Sequence, residues 1–200
     1  MRNAVINSSL NLIKKNYDYN DEKIAEIKYG LEAIYILITK SIVIFTASLL
    51  LGIFKEVIIF TLLYSLIRMF SFGLHATKSW ICLVCSLSCF ITIPYLCTII
   101  NINLYIKALL GIILILLMYK NAPADTHKRP IINPKRRAVY KTLSTIIAII
   151  MVFVSLFVDN NFISNALLFS LLLQNIMISK LTYKLFKLPY DNYKKYLDLV

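Results

Sequence analysis

Acidic residues, glycine, proline and histidine are all scarce in this chain: ten Asp+Glu, four Gly, five Pro and two His among 200 residues. So few glycines and prolines exclude a collagen-like chain and a Pro/Gly-rich disordered one. Charge is scarce as well. Charged residues make up 16% and hydrophobic residues 59%, where soluble domains run near 25% and 45–50%, which excludes an ordinary water-soluble domain. The two histidines, His75 and His127, supply no four-ligand zinc set with the thiols of Cys82, Cys85, Cys89 and Cys97, so no metal and no cofactor is expected. Cys82-x-x-Cys85 also lacks the strand–helix context of a thioredoxin-like redox motif. What is abundant is apolar bulk and positive charge, 22 Lys+Arg giving a net +12. These point to a small, basic, integral membrane protein built as one unit.

A membrane helix needs roughly 17–25 mostly apolar residues to cross about 30 Å of hydrocarbon, and only backbone that satisfies its own hydrogen bonds can cross. The apolar runs are continuous rather than alternating, which predicts helices and not a barrel. Six spans are expected, over residues 33–54, 57–72, 79–100, 104–119, 142–158 and 162–179. The fold class is therefore all-α, a polytopic membrane protein of about six transmembrane helices. It forms a single membrane-embedded domain over 1–200, with an arm at 1–31, a basic loop at 120–141 and a tail at 180–200.

The bases orient the spans. Arg2, Lys14, Lys15, Lys23 and Lys28 precede the first span. Lys120, Lys128, Arg129, Lys135, Arg136, Arg137 and Lys141 separate the fourth from the fifth. Lys180, Lys184, Lys187, Lys194 and Lys195 follow the sixth. With Arg68 and Lys78, nineteen of the 22 bases fall on one side, and the positive-inside rule places that side, with both termini, in the cytoplasm. None of the four cysteines lies in an extracytoplasmic loop, so a disulfide framework is not expected. The first thirty residues lack the continuous apolar core of a secretory signal. Val5, Ile6, Leu10, Ile13 and Tyr17 instead recur at helical spacing beside Lys14 and Lys15, which reads as an amphipathic helix on the bilayer surface or as a solvated arm. Tyr183, Phe186, Tyr190, Tyr193 and Tyr196 among five lysines read as an interfacial anchor. The bases flank spans as topology requires and leave no room for a recognition fold, so nucleic acid is not an expected partner.

The stretch from Arg68 to Cys82 interrupts apolar sequence with Gly73, His75 and Lys78 at the cytoplasmic edge, where polar groups are costly and suggest function. Cysteine attacks as its thiolate, which nearby cations, a helix N-terminus and an imidazole all favour. On one continuous helix His75 and Cys82 would share a face but stand roughly 10.5 Å apart along the axis, too far for proton transfer. A working dyad therefore requires a chain break, for which Gly73, Thr77 and Ser79 are the available positions. The alternative is that His75 reaches to the interface while Cys82 packs passively. Lys40, inside the first span, reads as a residue snorkelling to the cytoplasmic end.

Arg68, Gly73, His75-Ala76 and Cys82 resemble the R-x-x-x-[G]-G-x-H-A-x-x-x-x-x-C signature of the accessory gene regulator B family, bacterial membrane endopeptidases that process quorum-sensing propeptides. Ala122-Pro123-Ala124-Asp125-Thr126 followed by Arg129-Pro130-Ile131 resembles that family's A-P-A-D-T…[K/R]-P-I loop. Size, span pattern and motif order agree over nearly the whole chain. Phe72 departs from the pattern, standing where the family commonly has the first glycine of a pair.

The resemblance implies a cysteine endopeptidase with a His75/Cys82 dyad in the bacterial cell membrane, active on the cytoplasmic side. Its substrate would be a propeptide with an amphipathic N-terminal helix and an acidic C-terminal tail. Loss of the tail would leave a thioester on Cys82, which an internal Cys or Ser closes to a thiolactone or lactone. A homodimer is the family expectation. Arg68, Lys128 and Arg129 are candidates to grip the acidic tail, with Lys78 beside the nucleophile. Asp125 either orients His75 or pairs with Arg129 or Arg68 as a strut. The rival from another class is a small transporter or channel component exporting a peptide.

Overall fold

The computed structural model describes residues 2–17, 19–74, 79–126 and 130–199. Among them the chain is helical, in the order α1 Arg2–Asn16, α2 Asp21–Leu50, α3 Phe54–Ser71, α4 Ser79–Ile99, α5 Leu104–Asn121, α6 Pro134–Phe157, α7 Asn161–Ile178 and α8 Lys180–Leu185, closing with a 3-10 turn at Asn192–Leu199. Asparagine starts four of these helices. Asn20, Asn103, Asn133 and Asn160 each accept a backbone N–H from the first turn of α2, α5, α6 and α7, satisfying donors that a helix start leaves open.

Five helices, α2, α4, α5, α6 and α7, are long and apolar enough to cross a membrane. The sixth long helix, α3, has 18 residues and carries Lys55, Glu56 and Arg68. It is an all-α polytopic membrane protein. Two helix starts move furthest from the sequence expectation. Helix α2 begins at Asp21 rather than 33, and α6 begins at Pro134 rather than 142. Apolar runs report only the lipid-facing part of a helix, whereas the asparagine caps carry both helices beyond it through charged residues.

Helix α7 is the hub, packing against α3, α4, α5 and α6. Between helices in a bilayer the lipid is as apolar as leucine, so close packing and hydrogen bonds must hold them together. Helix α7 supplies both. Asn165 Nδ2 donates to the carbonyls of Cys97 (3.1 Å) and Ile100 (2.7 Å), and Asn175 Nδ2 to that of Leu114 (3.2 Å). Buried Lys107 donates to Ser164 Oγ at 2.6 Å. Gly111 of α5 lets α6 approach closely, since a Cβ there would lie 2.4 Å from Val152 Cγ1. Helix α2 stands at the periphery, against α1, α3 and α4, and α1 buries Ile6 and Leu10.

The tail is not a free interfacial anchor. Tyr183 is 1% exposed and donates to the Asp125 carbonyl at 2.9 Å. The Arg137 guanidinium lies 3.7 Å from the centre of the Tyr193 ring. Tyr183, Tyr190 and Tyr193, read as facing lipid headgroups, instead fold onto the loop between α5 and α6, because that loop offers carbonyls and a carboxylate that would otherwise be buried without partners.

Candidate functional site at one end of the bundle

The end of the bundle where α3, α5 and α7 finish holds both sequence motifs, hydrogen-bonded to each other. Helix α3 stops at Ser71, and Phe72 and Gly73 take positive φ of 56° and 117°. A side chain at residue 73 would meet Arg68 Nη1, Ile178 Cγ2 and the Met177 carbonyl, each at 3.2 Å, so only glycine fits. The Gly73 N–H donates to the Ala124 carbonyl at 2.9 Å, and the Ala124 N–H to the Ser71 carbonyl at 3.0 Å. A short parallel bridge thus joins the segment before His75 to the Ala122–Thr126 loop, which carries a cis Ala122–Pro123 bond.

Three further groups fasten this turn. Gln174 Nε2 donates to Ser71 Oγ at 2.6 Å and to the Phe72 carbonyl at 2.7 Å. The Leu74 N–H donates to the Met177 carbonyl at 3.3 Å. Arg68 Nη2 donates to the Leu74 carbonyl at 2.8 Å, while Nη1 reaches Tyr64 Oη at 3.0 Å and Gln174 Oε1 at 3.4 Å. Arg68 is thereby engaged on the residue preceding His75. Sequence reasoning missed Gln174, although an amide in the run Asn161–Ile178 was the available signal, since polar groups at membrane depth need partners.

Helix α4 opens at Ser79, so 68–82 is not one continuous helix, and Cys82 lies in the first turn of α4, half-buried. Lys40 of α2 does not snorkel to the surface: its Nζ donates to Cys82 Sγ at 2.6 Å and to Ser86 Oγ, one turn on, at 3.4 Å. The sulfur and the hydroxyl offer acceptors within the bundle, so the ammonium turns inward. No sequence spacing announces this contact, which spans 42 residues. Among the described residues, Cys85, Cys89 and Cys97 have no such cation. His75, Lys78, Lys128 and Arg129 lie outside the described residues.

Asp125 is 2% exposed and committed to the tail. Its Oδ1 accepts the Asn192 N–H at 3.1 Å, its Oδ2 accepts the Tyr193 N–H at 2.8 Å, and Arg137 Nη1 stands 3.9 Å from Oδ2. Burial first, then the neighbouring Asp191 carboxylate, pushes the Tyr190 hydroxyl up to about 12. Burial first and Asp125 second likewise push Tyr183 up. Among the described residues no group of three His, Cys, Asp or Glu could hold a metal ion.

Fold and site together define the class: a polytopic helical membrane protein whose two sequence motifs lock one end of the bundle around a turn leading to an ammonium-contacted cysteine. The chain belongs to the accessory gene regulator B family, whose model matches residues 6–178. It is 33% identical over 183 residues to an AgrB-like protein of Listeria welshimeri, covering 92% of this chain and 90% of that one. An AgrB-like protein of Clostridium acetobutylicum is 30% identical over 184 residues (92% and 88%). Accessory gene regulator protein B of Staphylococcus intermedius is 32% identical over 126 residues (63% and 66%). No solved structure matches. Membership supports a role in the accessory gene regulator system of quorum sensing.

Proposed function

We propose that this protein is a cysteine endopeptidase of the bacterial cytoplasmic membrane that removes the acidic C-terminal tail of an autoinducer propeptide and passes the remainder through a thioester on Cys82 to a cyclic product. The observation that carries the reading is the Lys40 ammonium against Cys82 Sγ at 2.6 Å. Of the four cysteines it singles out the one that the family motif marks, and a cation there suits a thiolate nucleophile.

The thiolate attacks the carbonyl joining the central segment to the tail. The C–N bond breaks, His75 gives its proton to the departing amine, and the peptide stays on Cys82 as a thioester. A Cys thiol or Ser hydroxyl within the peptide then attacks that carbonyl. The C–S bond to Cys82 breaks, the ring closes as a thiolactone or lactone, and the nucleophile's proton returns to His75. Hydrolysis is the competing reaction, and a site sunk between helices limits water. Arg68, Gly73 and Gln174 hold the turn that leads into His75. Lys128 and Arg129 are the residues assigned to grip the acidic tail and Lys78 the cation close to Cys82 in sequence; both termini are taken as cytoplasmic and the working unit as a homodimer.

The direct test is cleavage of the propeptide by membranes carrying the protein. Cys82→Ala and His75→Ala should each abolish it. Normal cleavage by Cys82→Ala would remove Cys82 as nucleophile.

A further inference from the structure

A cavity of about 360 Å³ opens beside the turn that precedes His75, lined by Phe72, Pro130, Ile131, Ile132, Arg136 and Tyr140, with Asn133 at its edge. Its wall is mostly apolar. The rings of Phe72 and Tyr140 meet edge to face at 4.9 Å. Among the described residues Arg136, exposed on the first turn of α6, is the cation at the rim, and it has no carboxylate partner there. Among the described residues no acidic side chain lines the cavity.

Phe72 is an expensive residue in this place. At φ 56°, ψ −131° it occupies backbone space that suits glycine, at a cost on the order of that of other such outliers. The Gln174 amide on its carbonyl and the bridge to Ala124 hold it there. A bulky ring kept in a conformation that glycine would adopt freely points to use of the ring itself.

We propose that this cavity is the pocket for the propeptide's tail, taking one apolar side chain against the paired rings of Phe72 and Tyr140 and setting the following carboxylates against Arg136. The proposal rests on the peptidase reading for its ligand. The cavity wall is three residues from His75, and its charge complements an acidic peptide.

The test is binding to the full-length protein, carrying Cys82→Ala to prevent turnover, in zwitterionic nanodiscs. The probe is a fluorescent peptide with one leucine followed by four glutamates. Exchanging the leucine for serine should weaken binding about tenfold or more, the scale of one buried aliphatic side chain. Phe72→Gly should remove that preference without lowering thermal stability, since glycine relieves the backbone. Arg136→Gln, on an exposed side chain, should keep the leucine preference and weaken the preference for glutamate over glutamine. Equal binding of leucine and serine peptides, or an unchanged preference in Phe72→Gly at equal stability, would overturn the proposal. Binding that ignores the peptide's leucine but follows added anionic lipid would also overturn it, identifying a lipid site instead. Because Cys82 is absent from the assay, these outcomes are independent of whether Cys82 is the nucleophile.

Discussion

At the residue scale, Lys40 and Gly73 carry the most consequence. Removing the ammonium while keeping side-chain bulk, as in Lys40→Met, should slow alkylation of Cys82 by iodoacetamide at neutral pH about tenfold, the worth of one screened charge contact. Lys40→Arg should recover most of the rate. Equal rates in all three proteins, read by peptide mass after limited labelling, would leave Lys40 a packing residue. Gly73→Ala faces both a φ of 117° and three neighbours at 3.2 Å. It should cost about 1–3 kcal/mol and lower the unfolding temperature in detergent, with activity falling further as the turn shifts. The two residues also differ in how far the sequence disclosed them. Gly73 is part of a local motif, so its importance was legible before its φ was known. Lys40 gains meaning only from a helix–helix contact, and a lone lysine in an apolar run reads as a boundary residue.

At the element scale, α7 and the Ala122–Thr126 loop organise the site. Gln174→Leu removes the amide that ties Ser71 and Phe72 to α7. It should cost about 1–2 kcal/mol, typical of interhelical hydrogen bonds in membranes, and lower propeptide cleavage while leaving Cys82 alkylation intact. Loss of alkylation as well would mean that the turn and Cys82 are not separable. Asp125→Asn loses a backbone acceptor and the charge facing Arg137. That should free the tail, seen as faster protease cutting after Leu185. The helices were legible as apolar runs, since lipid selects them by composition. Their capped extensions were not, because asparagine starts a helix in water without regard to hydropathy. Nor were the roles of Asn165, Gln174 and Asn175 legible, because an amide in a span states a need for a partner but not which carbonyl meets it.

At the scale of the molecule, the long helices α2 to α7 leave one end tied by the α3 turn, the Ala122–Thr126 loop and the folded-back tail. The tail's docking has a pH signature. Burial raises Tyr183 and Tyr190 above the tyrosine value of about 10 expected unfolded. Their contribution to stability is therefore complete below about pH 10 and fades as pH rises toward 12. Titration of tyrosinate absorbance should show a late step that shrinks by one tyrosine in Tyr190→Phe; a single transition near 10 for all tyrosines would contradict the docked tail. Tyr183, Tyr190 and Tyr193 were misread from sequence because aromatic-basic segments at membrane edges look alike whether they meet headgroups or fold back on a loop. The central claim is that Cys82 carries the peptide during turnover. Intact-protein mass spectrometry, after incubation with a propeptide whose cyclising Cys or Ser is replaced by alanine, tests it most directly. The account predicts a mass increase equal to the peptide without its tail, on Cys82 and released by hydroxylamine. Tail release with no adduct, or an adduct on another residue, would contradict it.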